Sequence, residues 1–219
     1  MATGMNFTMD KTLGQILVEK NIISSEQLAL ALRRQKQEKG IYLGQILIEM
    51  GVSQGKINKA LDYFNKRRPI GQILLDLKVI TAQQLEEALE KQKQLQKKTF
   101  RRPLGMLLVE MGHTTYYNYL NALSKHFNMP IVSLKNFLLS PSWQKSIGER
   151  FAQQQKIVVL ENSQDKIKLA LAEPTNYILE DIRRIFPGYK NVEFYLASPA
   201  EIENCLRHYS DPFSLNRYK

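Results

Sequence analysis

Three apolar residues, Leu13, Ile16 and Leu17, fall on one face of a helical turn. The phrase that holds them, Leu13-Gly14-Gln15-Ile16-Leu17, returns as Leu43-Gly44-Gln45-Ile46-Leu47, Ile70-Gly71-Gln72-Ile73-Leu74 and Leu104-Gly105-Met106-Leu107-Leu108. Each copy predicts a short amphipathic helix. Asn21 and the turn around it end the first of them. Ser24 then stands as an N-cap with Gln27 three residues on, the capping-box spacing. Leu28, Leu32 and Gln35 follow at i, i+4 and i+7, which predicts a longer second helix. One unit is therefore a short helix, a turn and a capped longer helix.

The third unit repeats the first with an offset of 57 (Gly71 against Gly14, 71 − 14). Thr81 and Gln84 replace the Ser24 capping box, and Leu85, Leu89 and Gln92 match Leu28, Leu32 and Gln35. Agreement at so many spaced positions marks an internal duplication. Units two and four are looser. Gly51 and Gly112 stand where the others have Asn21 and Lys78, a place suited to a left-handed helix end. The second helix of unit two is one residue short, with Ile57, Leu61 and Phe64 at its apolar positions; unit four has Tyr119, Leu123 and His126. Both have lost the tail Gln. Pro69 and Pro103 each precede an Ile/Leu-Gly step, where proline can start a helix.

From Asn128 the period changes. Residues 129–134 read as a short extended segment and 141–151 as a helix. Residues 156–160 and 166–172 read as two strands, 176–186 as an amphipathic helix stopped by Pro187-Gly188, 192–196 as a third strand and 198–208 as a last helix. The expected fold is α+β: tandem short-helix/long-helix repeats followed by a small ββαβα lobe. The expected division is a disordered lead-in (1–11), a first repeat pair (12–65), a second pair (69–127), the lobe (128–209) and a tail (210–219).

Composition narrows the function. Of 219 residues 43% are apolar and 24% charged, ordinary for a globular chain. One cysteine excludes a disulfide framework and a cysteine-based zinc site. No apolar run approaches a membrane span and no signal peptide opens the chain, so a cytoplasmic location is expected. The net charge of +10 favours polyanionic partners. Its clusters are Arg33-Arg34, Lys66-Arg67-Arg68 and Lys97-Lys98 with Arg101-Arg102. Such runs are solvated faces in the first instance; alternatively, the arginines just before copies three and four face a phosphate-bearing ligand.

Catalytic patterns are missing. There is no Walker-type loop and no G-x-G-x-x-G. His113, His126 and His208 are not at metal-ligand spacing, and Cys205 lies beside Ile202 and Leu206 as a buried thiol would. Glu19, Glu49, Asp76 and Glu110 occupy matching places in the four units, which suits a capping or surface role. Trp143 and Tyr116-Tyr117 could stack on bases, but nucleic acid has only the net charge in its favour. No enzyme activity and no cofactor is expected.

The repeated Leu-Gly-x-x-Leu step, followed by Leu, Leu and Gln on the next helix, resembles the N-terminal domain of type II secretion and type IV pilus assembly ATPases. This is the MshEN domain, a cyclic di-GMP receptor. The stretches Asn128-Met129-Pro130-Ile131-Val132 and Leu169-Ala170-Leu171-Ala172-Glu173-Pro174-Thr175-Asn176 resemble its lobe. The resemblance covers residues 12–208. It implies leucines wrapping the bases and sugars, a small glycine beside the ligand, and an arginine before the Leu-Gly step on guanine or phosphate. Carried over, the ligand-binding residues of the first pair are Leu13, Gly14, Leu17, Leu28, Leu32, Gln35, Leu43, Gly44, Leu47 and Leu61. Those of the second are Ile70, Gly71, Leu74, Leu85, Leu89, Gln92, Leu104, Gly105, Leu108 and Leu123. The arginine position holds Thr12, Tyr42, Pro69 and Pro103, with Arg68 and Arg102 one residue earlier as the replacement cations. The implied function is a non-catalytic cyclic di-GMP module, with no ATPase motor, linked to pilus, secretion or motility machinery. The alternative is a protein-docking adaptor that keeps the fold and binds no nucleotide.

Overall fold

The computed structural model describes residues 11–38, 40–64, 66–96 and 102–210, without the side chains of 96 and 208–210. Residues 1–10 of the expected lead-in, 211–219 of the expected tail, Lys97-Lys98 and Arg101 lie outside the described residues, as does the His208 side chain. The fold is α+β, with twelve helices and one three-stranded sheet among the described residues. The chain divides into two compact units, Met1–Asn128 and Met129–Lys219.

The first unit holds the repeats: α1 (Leu13–Glu19), α2 (Ser25–Gln37), α3 (Leu43–Glu49), α4 (Gln54–Tyr63), α5 (Ile70–Asp76), α6 (Ala82–Gln96), α7 (Leu104–Glu110) and α8 (Tyr116–Phe127). A seven-residue helix is too short to persist alone, so α1, α3, α5 and α7 depend on their ends and their buried faces. Their C-termini close identically. The fifth helical residue's carbonyl accepts from the fifth residue beyond it, as in Ile22 N–H to Leu17 O, Val52 to Leu47, Val79 to Leu74 and His113 to Leu108. A second bond closes the inner turn, and Asn21, Gly51, Lys78 and Gly112 take the left-handed conformation between them. The Ser24/Gln27 and Thr81/Gln84 capping boxes form as expected, and Thr12/Gln15 adds another before α1.

Each repeat pair has its own core. In the first pair Leu17, Ile23, Ala31, Ile46, Leu47, Ile57, Ala60 and Leu61 pack together. In the second Ile73, Leu74, Ile80, Ala88, Leu108 and Ala122 do so. The pairs are joined by a polar seam at the end of α8. The last carbonyls of a helix have no partner within it. Here Arg67 donates to the His126 carbonyl, Asn58 Nδ2 to that of Phe127 at 2.9 Å and Gln54 Nε2 to that of Asn128 at 3.0 Å. Gln45 Nε2 reaches Ser124 Oγ at 3.2 Å. The residue that unit two lacks is missing from the turn rather than from the helix: residues 50–53 join α3 to α4 where 20–24 join α1 to α2, and α4 ends three residues shorter than α2, at ten against thirteen. Asn58 faces α8, while Ile57 keeps the core position.

The second unit is the lobe. Its helices are α9 (Pro141–Lys145), α10 (Glu149–Gln155), α11 (Asn176–Ile185) and α12 (Pro199–Ser210); its strands are β1 (Ile157–Asn162), β2 (Lys166–Leu171) and β3 (Asn191–Leu196). The sheet order is β1-β2-β3, β1 antiparallel and β3 parallel to β2, with α11 as the crossover. The leading segment makes one bridge, Ile131 beside Leu196, rather than a full strand. The helix expected over 141–151 is two helices, because Gly148 between them has a φ of 83° that no helix accommodates. Cys205 is buried against Leu134, and burial pushes its thiol pKa up.

Candidate functional site

A cavity of about 200 Å³ opens in the first unit. Its apolar wall is Leu13, Leu43 and Leu61, with the Gly44 backbone, from the first pair. Gln35 and Tyr42 stand beside them. Its cationic side is Lys66, Arg67 and Arg68 from the segment between the pairs and Lys125 from α8, with His126 and Asn128 completing the lining. Six of these residues, Leu13, Gln35, Leu43, Gly44, Leu61 and Arg68, were expected from sequence.

The cations are held in distinct ways. Arg67 is 10% exposed; its Nε meets Asp62 Oδ1 at 2.6 Å and its guanidinium lies 5.3 Å from the Phe127 ring centroid. Lys125 Nζ donates to the Gly40 carbonyl and sits 4.9 Å from the Tyr42 ring centroid. Burial lowers the Lys125 pKa. Arg68 pairs with Asp76 at 2.7 Å.

That last pair repeats. A cation two residues before the Leu-Gly step bonds an acid six residues after its start: Lys11 to Glu19 at 2.6 Å, Arg68 to Asp76, and Arg102 to Glu110. The Lys11 hydrogen bond holds the Glu19 carboxyl below its usual pKa. In copy two, where Ile41 takes the cation's place, Glu49 pairs with Arg34 instead. The matched acids are thus ion-pair partners. Exposed pairs of this kind are weak enough to be exchanged for a stronger anion.

The tail glutamines also have a shared task. Gln35 Nε2 donates to the Ile41 carbonyl at 3.0 Å and Gln92 Nε2 to the Arg102 carbonyl at 2.7 Å. Each acceptor lies two residues before the next Leu-Gly step, so the Gln pins the spacer. His126 holds the same position in copy four, and its Nδ1 donates to the Arg68 carbonyl at 2.7 Å, again two residues before a Leu-Gly step. Burial, the largest influence, pushes the His126 pKa below its ordinary 6.5; the Arg67 charge acts with it, while the Arg68 carbonyl and Asp62 oppose. The unfolded chain therefore takes up the proton first as pH falls. Stability from this residue is present above pH 6.5 and lost as pH drops from there toward the folded value. In His126→Gln, which restores the repeat's usual donor, urea midpoints between pH 7.5 and about pH 5.5 should fall less than in the parent. Equal losses would disprove a neutral, buried His126.

The remaining expected residues divide by burial. Leu17, Leu47, Leu74 and Leu108 are fully buried and Leu123 nearly so, all in core positions away from the cavity. They serve as packing residues: Leu17 and Leu47 lie in the core of the first pair, and Leu74 and Leu108 in that of the second. The notches at Gly14, Gly71 and Gly105 are filled by protein: a Cβ there would lie 2.6 Å from Leu28 Cδ1, 2.8 Å from Leu85 Cδ1 and 2.1 Å from Tyr119 Cε2. At Gly44 it would lie 2.6 Å from Asn128 Oδ1. Ile70 and Leu104 pack half-buried on the second core. Leu32 and Leu89 stay 41% and 39% exposed, outside the cavity lining. Arg102 is occupied by Glu110.

Sequence reasoning missed Tyr42, Lys66, Arg67, Lys125, His126 and Asn128 as lining. The Lys66-Arg67-Arg68 cluster was a visible signal. Lys125 and Asn128 carried none, since they reach the cavity from more than 55 residues away (125 − 68 = 57).

Residues 127–214 match the MshEN domain family. The type IV pilus assembly ATPase PilB of Myxococcus xanthus (strain DK1622) is 28% identical over 140 residues, which are 64% of this chain and 24% of PilB. The chain therefore spans about a quarter of that relative's length. Among solved structures, that of MshE with cdg superposes with a TM-score of 0.58 at 24% identity, covering 65% of this chain and 99% of that one. The N-terminal domain of XpsE gives 0.50 at 16% identity, covering 65% and 93%. These two show the fold, and each leaves about a third of this chain unmatched. Among the described residues no helix is long and apolar enough to cross a membrane, and no group of three His, Cys, Asp or Glu could hold a metal.

Proposed function

We propose that the chain, whose residues 127–214 match the MshEN domain family, is a non-catalytic, cytoplasmic regulatory module that binds cyclic di-GMP through its Leu-Gly-x-x-Leu repeats. It would serve type IV pilus, type II secretion or motility machinery, in keeping with its likeness to PilB and to MshE, the latter solved with cdg. One observation carries the reading. The first pair's Leu13, Leu43, Leu61 and Gly44 meet four cations in one cavity. A guanine nucleotide needs that combination of a desolvated apolar wall and charge-assisted donors for phosphate. A volume of about 200 Å³ falls short of the range that encloses a whole drug-sized ligand, so one half of the dinucleotide enters and the other lies across the rim. The rim's Arg68–Asp76 pair is exposed and exchangeable.

The filled glycine notches and the paired Arg102 favour a second reading, an adaptor that keeps the fold and docks protein alone. Calorimetric titration with cyclic di-GMP separates the two. A regulatory receptor should be saturated at about 100 μM, with a rise in melting temperature. No heat and no melting shift at that concentration would leave the adaptor.

A further inference from the structure

The cations of the cavity lie outside the first repeat pair. Lys66 and Arg67 belong to the connecting segment and Lys125 to α8, whereas the apolar wall belongs to the first pair. Neither pair alone owns both surfaces. The same place is the seam of the unit: Arg67 lines the cavity and also caps α8 through the His126 carbonyl, beside Asn58 and Gln54. We infer that the cavity is an anion-reading seam, in which a phosphate-bearing occupant lies on the first pair while Arg67 and Lys125 hold its charged edge, so that occupancy reinforces the seating of the first pair on α8. The identity of that occupant as cyclic di-GMP rests on the function proposed above; the anion chemistry and the coupling do not.

The roles of the two cations differ. Arg67 is nearly buried and fixed by Asp62 and a backbone carbonyl, so it is a preset positive charge. Lys125 donates one of its three ammonium N–H groups to the Gly40 carbonyl, a neutral acceptor. A phosphate oxygen makes a stronger, charge-assisted bond and takes the ammonium over. The Tyr42 ring beneath keeps the chain of Lys125 over the cavity. An occupant that touches both sides binds the seated arrangement better than the unseated one, and shifts the equilibrium by that difference. The effect is felt at the last turn of α8, the residues that lead directly to Met129.

Two variants of the full chain test this. Lys125→Met removes a cavity cation and leaves the three seam carbonyl bonds in place. Gln54→Ala removes a seam bond at a residue that does not line the cavity. In the parent chain, cyclic di-GMP should slow amide exchange over residues 122–128. Lys125→Met should weaken binding about tenfold and flatten its salt dependence. Gln54→Ala should speed exchange over 122–128 without ligand, and weaken binding although it touches none. Where cyclic di-GMP binds, parent-like affinity and salt dependence in Lys125→Met, or exchange over 122–128 unchanged by the bound ligand, would overturn the inference. A parent chain that ignores cyclic di-GMP sinks the nucleotide assignment alone; the same readouts with inorganic pyrophosphate then decide. Protection of 122–128 by pyrophosphate, lost in Lys125→Met, supports the seam, and no protection overturns it.

Discussion

Leu17→Ala and Leu74→Ala should each lower the unfolding free energy by about 2–5 kcal/mol, the range for emptying a leucine site in a closed core. Both side chains are fully buried. Leu17 belongs to the core cluster that holds Ile46, Leu47 and Ile57, and Leu74 to the one that holds Ile73, Leu108 and Ala122. The helices carrying them are seven residues long and have no stability of their own to absorb the loss. Each leucine also supplies the carbonyl that closes its helix end, so a shift of the backbone into the cavity would strain that closure. Urea midpoints at constant slope give the measurement. The contrast is internal to the repeat. Leu32→Ala and Leu89→Ala remove the same atoms from positions 41% and 39% exposed, and should cost under about 1 kcal/mol. Equal losses at Leu17 and Leu32 would contradict the division between packing and exposed leucines.

That division explains what the sequence could and could not reveal. The repeat units, their capping boxes, the left-handed helix ends and the lobe's elements are local features, set by residues within a few positions of one another. Ser24 with Gln27, and Gly112 before a new helix, say what they do without reference to the rest of the chain. The same holds for the apolar half of the cavity, since Leu13, Leu43 and Gly44 belong to the phrase itself. The charged half depends on tertiary placement. Lys125 looks like any helix-surface lysine until α8 is set against Gly40 and Tyr42. Gln35 and Gln92 were carried over from the resemblance as ligand contacts; each also pins the spacer before the next Leu-Gly step, and Gln35 lines the cavity as well. Arg68 and Arg102 stand one residue early because their partners are Asp76 and Glu110. Periodicity marks a position as shared without telling whether ligand or protein is the other side of the contact.

Gly105→Ala carries the same distinction to the glycines, with an expected loss of about 3 kcal/mol. A Cβ at residue 105 would stand 2.1 Å from Tyr119 Cε2 and 2.3 Å from Cδ2. Tyr119 is buried, and its ring can yield only as a rigid plate. The better helix propensity of Ala, about 1 kcal/mol, offsets part of the clash and not the whole. At Gly71 the obstacle is a Leu85 methyl at 2.8 Å, the end of a side chain that is half-exposed and can rotate away. Gly71→Ala should therefore cost distinctly less. Tyr119→Leu places at copy four the residue that copies one and three carry, and the double variant Gly105→Ala/Tyr119→Leu should be more stable than the sum of the single losses predicts. A thermodynamic cycle by urea denaturation measures that coupling. If the losses add, or if Gly105→Ala costs no more than Gly71→Ala, the glycine is not kept small by Tyr119, and room for a ligand becomes the better account of why all four copies carry it.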